Sequence, residues 1–383
     1  MQLTSSVIHL CDSARRWHHV AYSTPVVPCG LEGAVRKARG PSRSLSPSTS
    51  TKANAVTLVD EEGGRLRGYV LVLFHAGTSL ARLYSIAVDD TFRRAGVGRS
   101  LVRAAEEAAR EHECVYMRLE VRPDNGASIA LFQGEGYRQF GIFHDYYEDH
   151  AEALRFEKLL IPHLRADLVG VPYYQQTLEF TCGPAALLMA MAALEHKTPT
   201  TRQEELRIWR ESTTIFMTSG HGGCGPYGLA LSAYHRGFGV EIYVNDESAL
   251  FVDSVRSEEK KEVIRLVQED FLQEIRAIGI PVHYRRLTVA EMKAQFEEGA
   301  IPVVLISSYR IYKEKFPHWM VVTGFDDRFI YVHDPYVDCA TGKTATDCMT
   351  MPILQKDFDR MARYGKSGQR AALIIRRRKG RRR

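Results

Sequence analysis

The rhythm of apolar and polar positions changes several times along the chain, and each change marks an element. Ala55 to Val59 and Arg67 to Phe74 read as buried strands separated by the turn Glu61-Glu62-Gly63-Gly64, and Leu80 to Val88 reads as a third. A hairpin feeding a third strand is the simplest arrangement. The basic, glycine-interrupted turn Arg93-Arg94-Ala95-Gly96-Val97-Gly98 then opens a helix, because Leu101, Val102, Ala105 and Ala109 recur at helical spacing. Val115 to Val121 is the next strand. Ala127 to Gln133 is a short helix stopped by Gly134 and Gly136, and Tyr137 to Tyr147 and Ala153 to Leu160 are further strands.

After Leu160 the pattern shifts from strands to helices. The apolar run Cys182 to Leu194 predicts a buried helix, followed by helices at Arg202 to Trp209 and Tyr227 to His235 and a long amphipathic one from Glu258 to Ala277. From Pro281 onward strands return, with Ile301 to Ile306, Trp319 to Gly324 and Phe329 to His333 rich in β-branched and aromatic residues. A helical lobe against a sheet is an α+β arrangement. The 383-residue length exceeds what one ordinary core supports, so two domains are expected. The boundaries fall at 55–161 for the first, 162–168 for a linker and 169–375 for the second. Residues 1–54 carry Pro25, Pro28, Pro41 and Pro47 and a Ser/Thr-rich stretch, and predict a poorly ordered segment without an amphipathic helix pair.

Composition narrows the setting. A 45% apolar, 25% charged chain without a long apolar run is expected to be soluble, with no membrane span. The net charge of +5 arises in the terminal run 376–383, which alone holds seven Lys and Arg side chains, so the basicity is a tail, read as solvated, and predicts no specific nucleic-acid partner. Seven cysteines, an odd number with no Cys-x-x-Cys pair, argue against a disulfide framework and a structural zinc site; no metal is expected. A reducing cytoplasm fits, and the N-terminus has no continuous apolar region of a secretion signal. Nothing in the composition addresses oligomeric state.

Two constellations carry chemistry. In the first, Gly96 and Gly98 lie between a strand and a helix, where the backbone can approach a ligand and amides at the helix start point outward, an anion site to which Arg93 and Arg94 add charge. The stretch Leu80 to Leu160 resembles the GCN5-related N-acetyltransferase (GNAT) family. Arg93-x-x-Gly96-x-Gly98 matches its pyrophosphate loop, and Asn125 with Gly134-x-Gly136-Tyr137 matches the helix-turn that follows. The resemblance implies an α/β mixed sheet with flanking helices that binds acetyl-CoA through Ile86, Val88, Arg93, Arg94, Gly96, Val97, Gly98 and Asn125. Leu119-Glu120-Val121-Arg122-Pro123-Asp124-Asn125 looks like the ribosomal-protein alanine N-acetyltransferase branch, where a glutamate at the position of Glu120 is associated with deprotonating the amine; the plain alternative is an exposed strand glutamate. One departure is Phe132, at the position where the family commonly has a tyrosine acid.

The second constellation is built around a thiol. Cys182, in Gln176-Thr177-Leu178-Glu179-Phe180-Thr181-Cys182-Gly183-Pro184, is placed at a helix N-terminus, which lowers a thiol pKa, and the Gln176 amide could reach a developing oxyanion. His318 heads an apolar strand and Asp334-Pro335 ends the next, so two adjacent antiparallel strands could join the two side chains. The rival thiol Cys224, in His221-Gly222-Gly223-Cys224-Gly225-Pro226, reads as part of a loop shaping the cleft. The order glutamine, cysteine-glycine, histidine-strand, aspartate-proline resembles the papain-like double-glycine peptidases that process bacteriocin leaders, over roughly Val171 to Ile375, and implies a papain-like α+β fold acting on a peptide or protein substrate. The joint expectation is an N-acetyltransferase fused to a cysteine peptidase or acyl-transferring amidase. The alternatives are an acetyl-CoA-sensing module that regulates a peptidase-like domain, and a binding scaffold.

Overall fold

The computed structural model describes residues 55–63, 65–161, 167–213, 222–245, 247–252, 255–314, 316–338, 343–365 and 367–378, and the backbone of 35–38. The chain divides into two compact units, one running to Leu164 and including Asp338–Asp347, the other formed by Arg165–Val337 and the chain from Cys348 onward. A two-domain division by sequence places 338–347 in the second domain; its clustering with the first unit is a difference traced below to buried ion pairs. Most of 1–54, read as poorly ordered, lies outside the described residues. Val35–Ala38 within it forms a strand that the sequence reading did not anticipate.

The first unit is one seven-stranded mixed sheet. Its elements are β1 (Val35–Ala38), β2 (Ala55–Glu62), β3 (Arg65–Phe74), β4 (Leu80–Val88), α1 (Val97–Glu111), β5 (Tyr116–Val121), α2 (Gly126–Gly134), β6 (Arg138–Phe143) and β7 (Ala153–Leu159), with strand order β1-β2-β3-β4-β5-β7-β6. β2, β3 and β4 form the expected antiparallel meander, and β4 lies parallel to β5. Strand side chains alternate between faces. Ala81, Leu83, Met117, Leu119 and Val121 therefore join the buried core with Leu101, Val102, Ala105 and Ala109 of α1. The intervening positions Arg82, Arg118 and Glu120 belong to the opposite face, and each is also buried.

The second unit packs helices against an eight-stranded sheet. It comprises β8 (Asp167–Leu168), α3 (Cys182–Leu194), α4 (Arg202–Ser212), α5 (Pro226–His235), β9 (Phe238–Val244), α6 (Glu258–Ile278), β10 (Val282–Tyr284), α7 (Val289–Glu297), β11 (Ile301–Ser307), α8 (Tyr309–Tyr312), β12 (Pro317–Phe325), β13 (Phe329–His333), β14 (Met351–Leu354), α10 (Gln355–Met361) and β15 (Ala371–Arg377); the short α9 (Ala345–Cys348) precedes β14, and its first three residues belong to the first unit. The sheet order is β10-β9-β15-β11-β12-β13-β14, and β8 pairs with β12. α3 is apolar on every side and sits in the core, as an all-round hydrophobic helix must. Two expectations need correction. Leu168, assigned to the linker, is already a strand residue opposite Gly324. Arg376 and Arg377, assigned to the tail, are in β15, where Arg376 pairs with Glu241 at 3.1 Å and Arg377 Nε donates to the Leu194 carbonyl at 2.5 Å.

Candidate active sites

The thiol site begins where α3 begins. Cys182 is its first residue, 9% exposed, and no side chain caps the helix there. The Thr181 hydroxyl that could have capped it instead donates to the buried carboxylate of Glu205 and lies 2.9 Å from the Leu178 carbonyl. Glu205, on α4, also accepts from the Thr177 amide at 2.8 Å, the Thr177 hydroxyl at 2.7 Å and the Tyr174 hydroxyl at 2.8 Å. One carboxylate thus ties down the segment that carries both Gln176 and the approach to Cys182. Gly183 is needed for a packing reason: a Cβ there would lie 3.1 Å from Leu229, 3.2 Å from Trp319 and 3.4 Å from Cys224.

β12 brings in the base. His318, 1% exposed, hydrogen-bonds through Nε2 to Asp334 Oδ1 at 2.7 Å, which leaves Nδ1 for the sulfur. The pairing of β12 with β13 makes this contact, since β13 ends at His333 and Asp334 follows. Burial lowers the His318 pKa, but the charge and hydrogen bond of Asp334 override it, Cys182 acts in the same direction, and the result is pushed up to about 10. The imidazole is therefore held as imidazolium at neutral pH. Asp334 is wholly buried and fully engaged: Oδ1 also accepts from the Tyr336 amide at 2.9 Å, and Oδ2 accepts from the Tyr312 hydroxyl. Tyr312, Phe316 and Tyr336 surround the imidazole edge-on at 6.1, 5.9 and 6.4 Å between ring centroids, a low-polarity wall that strengthens the ion pair.

Gln176 is buried beside this pair, its amide on Pro335 O at 2.9 Å and its Nε2 on Leu178 O at 2.8 Å. An amide NH2 has two protons, so one is committed and one can be directed at a developing oxyanion. Cys224 is the neighbouring buried thiol. Burial pushes its thiol well above the ordinary range, and the neighbouring Cys182 adds to the rise. Its carbonyl accepts the Trp319 indole N–H at 3.0 Å, a structural tie between the loop and β12. His221 lies outside the described residues, and among those described no cluster of His, Cys, Asp or Glu could hold a metal ion.

In the first unit, α1 starts at Val97 behind Gly96, whose φ of +84° is the left-handed conformation that glycine adopts without strain. No side chain caps α1, so the leading amides remain for an anion. Gly98 is small because a Cβ would lie 3.3 Å from Leu131. Arg93 pairs with Asp90 at 2.6 Å and Arg94 takes a positive φ of 63°. Ile86 and Val97 are buried, Val88 is half-buried against the same core, and Asn125 caps α2 by accepting from the Ser128 amide at 3.1 Å. The uncapped amides at the start of α1 have the donor chemistry that a diphosphate such as that of acetyl-CoA needs.

Glu120 is on β5 and 4% exposed, so the reading of an exposed strand glutamate is wrong. Arg82 from β4 holds its Oε2 through Nη2 at 2.9 Å and Nε at 3.0 Å, while Oε1 is buried without a hydrogen-bond partner. Phe132 is wholly buried and packs edge-on against Tyr137 at 5.5 Å, part of the core. Arg82, Glu205, Tyr312 and Tyr336 were not foreseen, as none lies within a motif. Trp319 is the exception, an aromatic adjoining the histidine that the motif does include.

Comparisons with known proteins agree with the two-unit division. Residues 171–376 match the Peptidase_C39 like family, and residues 32–137 match the Acetyltransferase (GNAT) family. The alanine N-acetyltransferase of ribosomal protein bS18 from Salmonella typhimurium is 36% identical over 77 residues, 19% of this chain and 52% of that protein. An N-alpha-acetyltransferase from Sulfurisphaera tokodaii is 29% identical, covering 26% of this chain and 66% of its own. The crystal structure of Ard1 from Thermoplasma volcanium aligns with 31% identity and a TM-score of 0.25 over 26% of this chain and 66% of that one. This chain spans about half the length of the first of these relatives. The first unit is a GNAT acetyltransferase domain similar to the ribosomal-protein alanine N-acetyltransferases. No helix among the described residues is long and apolar enough to cross a membrane.

Proposed function

Since the chain belongs to the Peptidase_C39 like family and has a GNAT acetyltransferase domain ahead of that region, we propose that it is a bifunctional enzyme acting on peptides, an N-acetyltransferase joined to a cysteine peptidase or acyl-transferring amidase. The observation that carries the second activity is the buried His318–Asp334 pair at 2.7 Å with Cys182 at the start of α3. Cys182 thus has a cation and a helix N-terminus beside its sulfur. Cys182 Sγ attacks the amide carbonyl carbon, and the free N–H of Gln176 stabilises the oxyanion. His318 Nδ1 gives its proton to the leaving amine as the C–N bond breaks, leaving a thioester on Cys182. Water or a second amine then attacks that thioester, with His318 accepting its proton; hydrolysis and acyl transfer differ only in this step. Asp334 keeps the imidazole oriented throughout.

For the first activity, acetyl-CoA supplies the activated acyl group. The α1 terminus with Arg93 and Arg94 would hold its phosphates, and Glu120 Oε1 would take the proton of the acceptor amine directly or through water. Phe132 cannot protonate the departing thiolate, so that proton comes from another source, and an acetyl-CoA-sensing role is the second reading that this residue favours. The test is incubation of the full chain with a peptide library, with and without acetyl-CoA, read by mass spectrometry. Peptides shortened by wild type but not by Cys182→Ala, and acetylated N-termini lost in Glu120→Gln, are expected. Cleavage that survives Cys182→Ala refutes the thiol mechanism, and acetyl-CoA binding without transfer favours the sensor.

A further inference from the structure

The face of the first sheet that α1 does not cover is closed by a stretch of chain far away in sequence. Lys343 to Asp347 cluster with the first unit, and Asp347 is wholly buried there. Its Oδ2 accepts from Arg82 Nη1 at 3.2 Å and its Oδ1 lies 3.0 Å from His75 Nε2. One residue earlier, the Thr346 carbonyl accepts from Arg118 Nη1 at 2.9 Å. Arg82 is the residue that grips Glu120, and it also donates to the Tyr146 hydroxyl at 2.7 Å.

Two physical consequences follow. A general base must come within about 3 Å of the proton it takes, or within one water of it, yet Glu120 and Arg82 are 4% and 3% exposed with this segment in place. An acceptor amine from outside therefore reaches Glu120 only when its cover moves, and Asp347, on the same guanidinium as Glu120, belongs to that cover. Second, removing the Asp347 carboxylate takes away one of the two buried carboxylates on Arg82 and leaves Glu120 as the other, on a face that also buries Arg118 and Arg155, which is unfavourable unless the incoming molecule replaces it. The recess accordingly prefers a ligand that has a carboxylate near its amine.

We propose that residues 343–347 form a strap that occupies the acceptor face of the acetyltransferase unit with Asp347 as its anchoring carboxylate, and that the peptides which displace it have an acidic side chain close to their N-terminus. This rests on the acetyltransferase reading above. It differs from it in what it predicts.

The experiment uses the full chain and two peptides identical except for Asp or Asn at the second position. Acetyl transfer is followed for wild type, Asp347→Asn and Arg118→Met, the last loosening the strap at Thr346 without touching the Arg82–Glu120 pair. Hydrogen exchange of the 343–347 amides is measured in parallel. Both variants are expected to raise kcat/KM about tenfold or more, as loss of one anchoring contact increases the open population. The Asp peptide is expected to outperform the Asn peptide on wild type and to accelerate exchange at 343–347. Transfer absent from every variant, with exchange still accelerated by the Asp peptide, leaves the strap standing and sinks the acetyltransferase reading. Transfer lowered in both variants, or exchange at 343–347 unaffected by variant and peptide, overturns the strap.

Discussion

Replacing Asp334 by asparagine removes a charge from the thiol site and almost nothing else. The asparagine Oδ1 can still face His318 Nε2 and the Tyr336 amide, which lie at 2.7 and 2.9 Å from the aspartate oxygen. Its Nδ2 faces the Tyr312 hydroxyl, which can accept that proton while donating its own to the Tyr336 carbonyl at 3.0 Å. Shape is kept and the counter-charge is lost. With Asp334 gone, burial remains as the force that lowers the His318 pKa, so the value drops from about 10 toward or below the ordinary 6.5. At neutral pH the imidazolium becomes the minor form, and the acid that protonates the leaving amine is depleted. Loss of a positioned acid–base group costs about 100- to 10,000-fold in turnover, the range expected for amide cleavage by this variant. The sign for stability follows from the raised pKa: the His318 contribution is complete below about 6.5 and disappears as pH rises through about 10. Iodoacetamide labelling of Cys182 between pH 5 and pH 11, followed by mass spectrometry, reads the chemistry, and thermal melts across the same range read the stability. Wild-type amide cleavage, followed over the same range, should persist until its basic limb near pH 10, whereas the variant's limb moves below 7 and its Cys182 labelling at neutral pH slows, and the melting difference should shrink between pH 7 and pH 10. An Asn variant that keeps the wild-type limb and labelling rate would falsify the assignment of His318 and Asp334 as an ion pair that activates the thiol.

Other substitutions test the supporting structure. Glu205→Gln replaces charge-assisted hydrogen bonds by weaker neutral ones and forces the Tyr174 and Thr177 hydroxyls to turn and accept from the new NH2; about 2 kcal/mol of stability and roughly tenfold of Cys182 labelling rate should be lost together, in urea melts and alkylation kinetics. Normal labelling in a destabilised variant would show that Glu205 does not position the thiol. Gly324→Ala puts a Cβ 2.5 Å from Leu168 and 2.6 Å from the Asp167 carbonyl, and because the second contact is backbone, β8 must shift; a loss of about 1–3 kcal/mol in melting experiments is expected. Gly96→Ala meets no atom within 4 Å but keeps a φ of +84°, so a penalty of about 1 kcal/mol is expected, with weaker acetyl-CoA binding by calorimetry. Unchanged affinity would separate the α1 terminus from cofactor binding.

Elements with one unambiguous period were readable from the chain. The apolar run from Cys182 and the β-branched runs of β11 to β13 are found where they were expected, because burial on both faces leaves no other use for such segments. β15 was partly concealed by its composition. Arg376 and Arg377 look like the start of a basic tail, but one lies on Glu241 and the other on the Leu194 carbonyl, partners more than a hundred residues away. Long arginine stems can close a strand while their guanidinium groups find distant acceptors, and no local window contains that information.

The same limit separates the two sites. His318 and Asp334 are 16 residues apart on neighbouring strands, so a motif and one hairpin rule suffice to join them. Glu120 carries an equally clear motif, yet what it can do depends on Arg82, 38 residues before it, and through Arg82 on Asp347, 265 residues further on. A buried carboxylate is no base for an outside amine until its cover moves. Burial raises the Asp347 pKa, but His75 and Arg82 together hold it well below the usual carboxylate range, so the anchor remains charged throughout the range in which an amine can act as acceptor. Acidification is therefore a poor way to open this face. Competition by another carboxylate acts on the contacts that close it.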